Sequence, residues 1–168
     1  MEEFWKVYFT QTGTGWAAIG AMMAVMFGGV GSAMGIRIAG AQASGALSEK
    51  PELFGKLLIL MALPGTQGFY AFIIAVYTAV RTGIQTGKPV VTPIQGVALM
   101  FVGICAGIVE WRSAIYQGEA SAAAINLVSR RPEEAGRSIL IPALVETYAV
   151  LALLASILFI TWITSMKL

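Results

Sequence analysis

The sequence predicts an all-α membrane protein: four transmembrane helices arranged as two tandem copies of a helical hairpin. Three observations lead there. The 168 residues are 57% hydrophobic and 12% charged, with a mean hydropathy of +0.76, whereas soluble domains carry roughly 25% charged residues. Apolar runs longer than about 18 residues, enough to cross a bilayer, recur four times. The second half also repeats the first at an offset of 81 residues, Pro51-Glu52-Leu53-Phe54-Gly55-Lys56 falling on Pro132-Glu133-Glu134-Ala135-Gly136-Arg137.

Residues 1–11 read as an amphipathic lead-in, with Trp5, Tyr8 and Trp16 suited to a membrane interface. The acidic start does not fit a cleavable signal, so the first helix is expected to be retained. That helix runs from about Thr14 to Leu47. Its glycines Gly20, Gly28, Gly29, Gly31, Gly35, Gly40 and Gly45 mark a closely packed inner helix, because small residues let helix backbones approach where lipid competes for apolar surface. Ser48-Glu49-Lys50-Pro51-Glu52 forms a polar turn in which Ser48 is expected to cap the next helix and Pro51 to sit in its first turn. The second helix extends to about Arg81. A loop from Thr82 to Pro93 follows, and the third helix spans about Ile94 to Val128. Ser129-Arg130-Arg131-Pro132-Glu133-Glu134 is the second polar turn, and the fourth helix reaches about Ser165. Residues 1–88 thus form the first hairpin and 89–168 the second. In parallel copies both polar turns lie on one side. Lys50, Lys56, Arg130, Arg131 and Arg137 there, against Lys6, Arg81, Lys88 and Lys167 opposite, lean that side toward the cytoplasm.

Several functions are excluded. A net charge of +2 is too small for nucleic-acid binding. The chain has no His and no Asp, which removes the usual zinc ligands and most catalytic triads. Cys105 is alone, so no internal disulfide forms.

The chemistry gathers at Glu146. It is the only acid in the apolar run from Ile139 to Ile163, and a carboxyl at mid-membrane marks an ion or substrate path. The offset of 81 places Gly65 opposite it, so two hairpins share one acid. On the second helix Leu63, Thr66, Gln67 and Tyr70 share one face. Pro64 interrupts that face and is expected to free a carbonyl. With Gln117 on the third helix and Glu146, this makes about five oxygen donors and one negative charge, which suits a monovalent hard cation. Taken singly, Thr66, Gln67 and Gln117 also fit plain interhelical hydrogen bonding, and Tyr70 fits packing.

Leu63-Pro64-Gly65-Thr66-Gln67-Gly68-Phe69-Tyr70 and Leu144-Val145-Glu146-Thr147-Tyr148-Ala149, with the turn Arg130-Arg131-Pro132-Glu133, resemble the membrane rotor-ring proteolipid of V-type ATPases, also called subunit K or c. The resemblance runs over nearly the whole chain. It implies a homo-oligomeric ring in lipid, in a multi-pass subunit of a bacterial cell membrane. The ring would face a static membrane subunit whose arginine meets Glu146, and central-stalk subunits would dock at the polar turns. The subunit would catalyse no bond chemistry itself and need no organic cofactor. In sodium-pumping members the ion is held by residues that fall here on Leu63, Thr66, Gln67, Gln117 and Glu146, with Tyr70 bonded to the glutamate. Na+ is therefore the expected transported ion. The alternatives are a proton-carrying rotor and a small two-hairpin secondary transporter or channel. The chain departs from the family in its charges: Glu110, Arg112 and Glu119 on the third helix and Arg37 on the first. Glu110 and Arg112 either pair, or face the ring lumen, or the third helix has another register. An Arg112 that reached Gln117 or Glu146 would compete with a cation.

Overall fold

A computed structural model describes residues 1–88 and 90–167; Pro89, at the expected hairpin boundary, and Leu168, at the end of the second hairpin, lie outside it. Among the described residues four helices are long and apolar enough to cross a membrane: α1 (Thr14–Glu49), α2 (Pro51–Thr82), α3 (Pro93–Arg130) and α4 (Pro132–Ser165), of 36, 32, 38 and 34 residues. At about 1.5 Å per residue each is far longer than a ~30 Å hydrocarbon core, so the polar turns stand clear of it.

The helix ends follow local chemistry. Thr92 caps α3: its hydroxyl accepts from Gln95 N while the Gln95 side chain accepts from Thr92 N, and Pro93 fills the first turn, where its missing N–H costs nothing. Pro51 and Pro132 open α2 and α4 in the same way. Ser48 does not cap α2. It belongs to the last turn of α1 and donates to Gly45 O, so the turn between α1 and α2 is shorter than expected. Lys50 ties the two polar turns together by donating to Ser129 O at 2.7 Å. The lead-in is a helical turn, Glu2–Trp5, running into a wider π-helical segment, Lys6–Gln11. Trp16 Nε1 donates back to Phe9 O.

Glycine sets how close α1 comes to α3. A side chain on Gly20 would meet the Met100 backbone, one on Gly31 the Trp111 backbone, and one on Gly35 the carbonyl of Ala114; from the other side, Gly103 faces the backbone of Gly20 and Gly118 that of Gly35. Backbones this near leave no space for a Cβ, which is how helices gain dispersion contact in a bilayer. α2 packs on α1 through Gly28, which lies against Ala71 and Gln67 O, and α4 lies over α2 and α3. α4 is the least buried span and carries exposed Leu144, Tyr148, Leu151 and Leu158.

Candidate ion-binding site

α2 is not continuous. Pro64 carries no N–H, and Leu63–Gly65 tightens into a 3₁₀ turn between two α-helical stretches. The break is expected to free a carbonyl, but that of Leu63 is not free: it accepts from both the backbone N–H and the hydroxyl of Thr66, the latter at 3.0 Å. Pro64 itself is buried against Gly35 of α1. The break is thus clamped, and it holds the Thr66 hydroxyl against the Leu63 carbonyl.

From this turn a chain of hydrogen bonds crosses three helices. Thr66 Oγ1 donates to Gln67 Oε1 at 3.4 Å. Gln67 Nε2 donates to Gln117 Oε1 at 2.6 Å and reaches Ser113 Oγ at 3.5 Å. Gln117 Nε2 donates to Glu146 Oε2 and to Pro142 O, each at 3.2 Å. Tyr70 donates to the other carboxyl oxygen, Glu146 Oε1, at 2.5 Å. Leu63, Thr66, Gln67, Tyr70, Gln117 and Glu146 therefore stand in one network. Both glutamines are 0% exposed, and amides buried so completely must find partners. Each has them here. Glu146 is only partly covered, and Leu144, Thr147 and Tyr148 beside it are exposed. One side of the carboxyl faces the bundle and the other faces outward.

Sequence reasoning missed two members. Ser113 lies one turn before Gln117 on α3 and donates to Val145 O at 3.4 Å. Ser32 on α1 accepts from Gly68 N at 2.8 Å, fixing α2 just past its break. The i, i+4 spacing of Ser113 and Gln117 was a signal available for the first. Arg112 does not compete for the site. Its Nη2 bonds Tyr116 OH at 2.5 Å, and its Cζ lies 4.9 Å from that ring's centroid. It does not pair with Glu110 either; the one ion pair among the described residues is Arg137–Glu134, at 3.8 Å. Positions two apart on a helix point to different sides, so Glu110 is buried in the bundle while Arg112 stays exposed.

Comparison with known proteins fits this geometry. The family of the ATP synthase C subunit matches residues 19–78 and again residues 100–159. The chain belongs to that family. Within the ATP synthase C-subunit family it carries two copies of the family unit, and their starts and ends stand apart by the same offset of 81 residues that aligns the two polar turns. It is 35% identical over 144 residues to the V-type sodium ATPase subunit K of Enterococcus hirae, covering 86% of this chain and 89% of that protein. It is 34% identical over 143 residues to the A-type ATP synthase subunit K of Methanocaldococcus jannaschii, covering 85% of this chain and 60% of that protein's length. An integral membrane position follows from the family and the four long apolar helices together.

Proposed function

We propose that this chain is an ion-translocating rotor-ring subunit that binds Na+ at Glu146 and carries it past a static partner during ATP-driven rotation. The observation that carries the reading is the setting of Glu146. One carboxyl oxygen accepts from Tyr70 and the other from Gln117, next to a fully buried amide pair. Na+ as cargo would draw on Leu63 O, Thr66 Oγ1, Gln67 Oε1, Gln117 Oε1 and the Glu146 carboxylate. These donors are all oxygen and carry one negative charge in total, which matches one monovalent hard cation. The 35% identity to a protein named as a sodium ATPase subunit supports that choice of ion.

The steps follow from charge. Where Glu146 faces lipid it must be neutralised, because a bare carboxylate at mid-membrane is costly. Bound Na+ meets that need. At the stator, a fixed positive charge displaces the ion into an aqueous path. Moving one charge across 100 mV takes about 2.3 kcal/mol, which ATP hydrolysis elsewhere in the complex supplies. The subunit itself breaks no bond. Copies assemble as a ring, and the polar turns between α1 and α2 and between α3 and α4 meet the central stalk.

Carbodiimide labelling of the purified protein tests this, since only the protonated acid reacts. Sodium should protect Glu146, and potassium should do so far more weakly. Labelling that follows pH alone, indifferent to sodium, would make Glu146 a proton carrier and leave Thr66, Gln67 and Gln117 as structural bonds.

A further inference from the structure

A second carboxyl lies in the membrane interior, and the ion site leaves it unused. Glu110 is 0% exposed, and neither of its oxygens has a hydrogen-bonding partner among the described residues. Its side chain leaves α3 where α1 packs tightly: a methyl placed on Gly28 would lie 3.5 Å from Glu110 Cβ. Glu110, Ser113 and Gln117 share one face of α3 at i, i+3 and i+7, and that face bonds α4 at Val145 O and at the Glu146 carboxyl and α2 at Gln67, one turn before Tyr70. α1 offers glycine at this level, and on α3 itself Arg112 is engaged with Tyr116. No cationic side chain pairs with Glu110 among the described residues.

Three occupants of such a carboxyl can be compared. A bare carboxylate would be a buried charge with neither counter-ion nor donor, the most heavily penalised arrangement. A sodium ion needs several oxygen ligands held in place around it, and neither oxygen of Glu110 stands in a polar network with another group among the described residues. A proton needs no further ligand, and the neutral acid leaves only a hydroxyl and a carbonyl without partners, a far smaller penalty than a charge. We propose that Glu110 is a second cation-binding carboxyl of each subunit, specific for a proton, which it keeps throughout the transport cycle. The mid-membrane cluster then carries one negative charge and not two. Its charge matches a single monovalent ion, and that ion is not held so tightly that it cannot leave. The inference rests on Glu146 being the ion carboxylate.

Infrared difference spectra of the purified protein in lipid, with and without sodium at mildly alkaline pH, test it. The protonated-carboxyl stretch of Glu110 should be present in both conditions and vanish in Glu110→Gln. A sodium-sensitive carboxylate signal should vanish separately in Glu146→Gln. Because the lost side chain is neutral, Glu110→Gln should change sodium affinity by less than about threefold, whereas losing a nearby buried negative charge would weaken it about tenfold or more. If Glu110→Gln does not assemble, Glu110→Leu supplies the same subtraction. An ionised Glu110 signal, a Glu110 signal that moves with sodium, or a tenfold loss of affinity overturns the proposal. A Glu110 signal as expected, with no sodium-sensitive signal from Glu146, sinks the sodium reading instead.

Discussion

Tyr70 and Gln117 grip opposite oxygens of Glu146, so each one's removal has a separate consequence. Hydrogen bonds to a charged group contribute about 1.5–3 kcal/mol, so Tyr70→Phe should raise the sodium concentration that protects against carbodiimide about tenfold or more. Unchanged protection would mean that the Tyr70 bond adds nothing to ion binding. Gln117→Leu should be worse, because it also strands the Gln67 amide in a fully buried place. Glu146→Gln should abolish ion transport while the assembled ring survives; residual pumping in reconstituted vesicles would remove the carboxyl from the mechanism. Apart from Ser113 and Ser32, the members of this network were legible in the sequence, since Leu63, Thr66, Gln67 and Tyr70 share a helical face and Glu146 is alone in its apolar run. What could not be read was direction. Ser113 bonding Val145 O and Gln117 bonding Pro142 O depend on how α3 and α4 are rotated about their axes. The destination of Glu110 was closed for the same reason: its i, i+2 spacing from Arg112 speaks against pairing but does not say which neighbouring helix the acid meets.

At the level of the helix, proline and glycine explain why the span limits were readable to within about three residues. Pro51, Pro93 and Pro132 each start a helix because the first turn is where proline's missing N–H costs nothing. The errors lie where a side chain has two possible partners. Ser48 suits the start of α2 by its spacing and instead bonds back into α1, as serine does when its own preceding turn offers a carbonyl. The π-helical lead-in had no signal in its composition. The glycines carry the prediction at this scale. Gly103 lies against the backbone of Gly20, so Gly103→Leu must push α1 and α3 apart, whereas Gly55, also helical, has nothing within 4 Å of a Cβ. Gly103→Leu should lower the yield of assembled oligomer sharply, and Gly55→Ala should leave it unchanged or slightly improved, by up to about 1 kcal/mol of helix stability. Comparable yields of both on size-exclusion chromatography would show that the α1–α3 approach is dispensable.

Across the whole molecule the duplication is faithful in backbone and unequal in chemistry. The offset of 81 residues carries Gly65 onto Glu146 and Ile36 onto Gln117. The structure keeps that relation: the atom nearest a Cβ on Gly65 is Ile36 Cδ1, at 3.3 Å, just as Gln117 is bonded to Glu146. The first hairpin therefore retains the shape of the site while its donors are replaced. By the same offset Gln67 corresponds to Tyr148 and Tyr70 to Leu151, while Leu63 and Thr66 keep their types, as Leu144 and Thr147. One carboxyl that exchanges the transported ion per four helices follows, so a ring of given circumference carries half as many of these ions per turn as one with such an acid in every hairpin. The inequality also says what a restored acid should lack. Gly65→Glu would put a carboxyl beside the end of a flexible isoleucine, where a small shift makes room, but with no buried amide pair to complete an oxygen shell. The introduced carboxyl should react with carbodiimide equally with and without sodium, while Glu146 in the same protein stays protected; peptide mapping separates the two sites. Sodium protection at both positions would mean that the carboxyl alone selects the ion, and Gln67, Gln117 and Tyr70 would lose the role assigned to them.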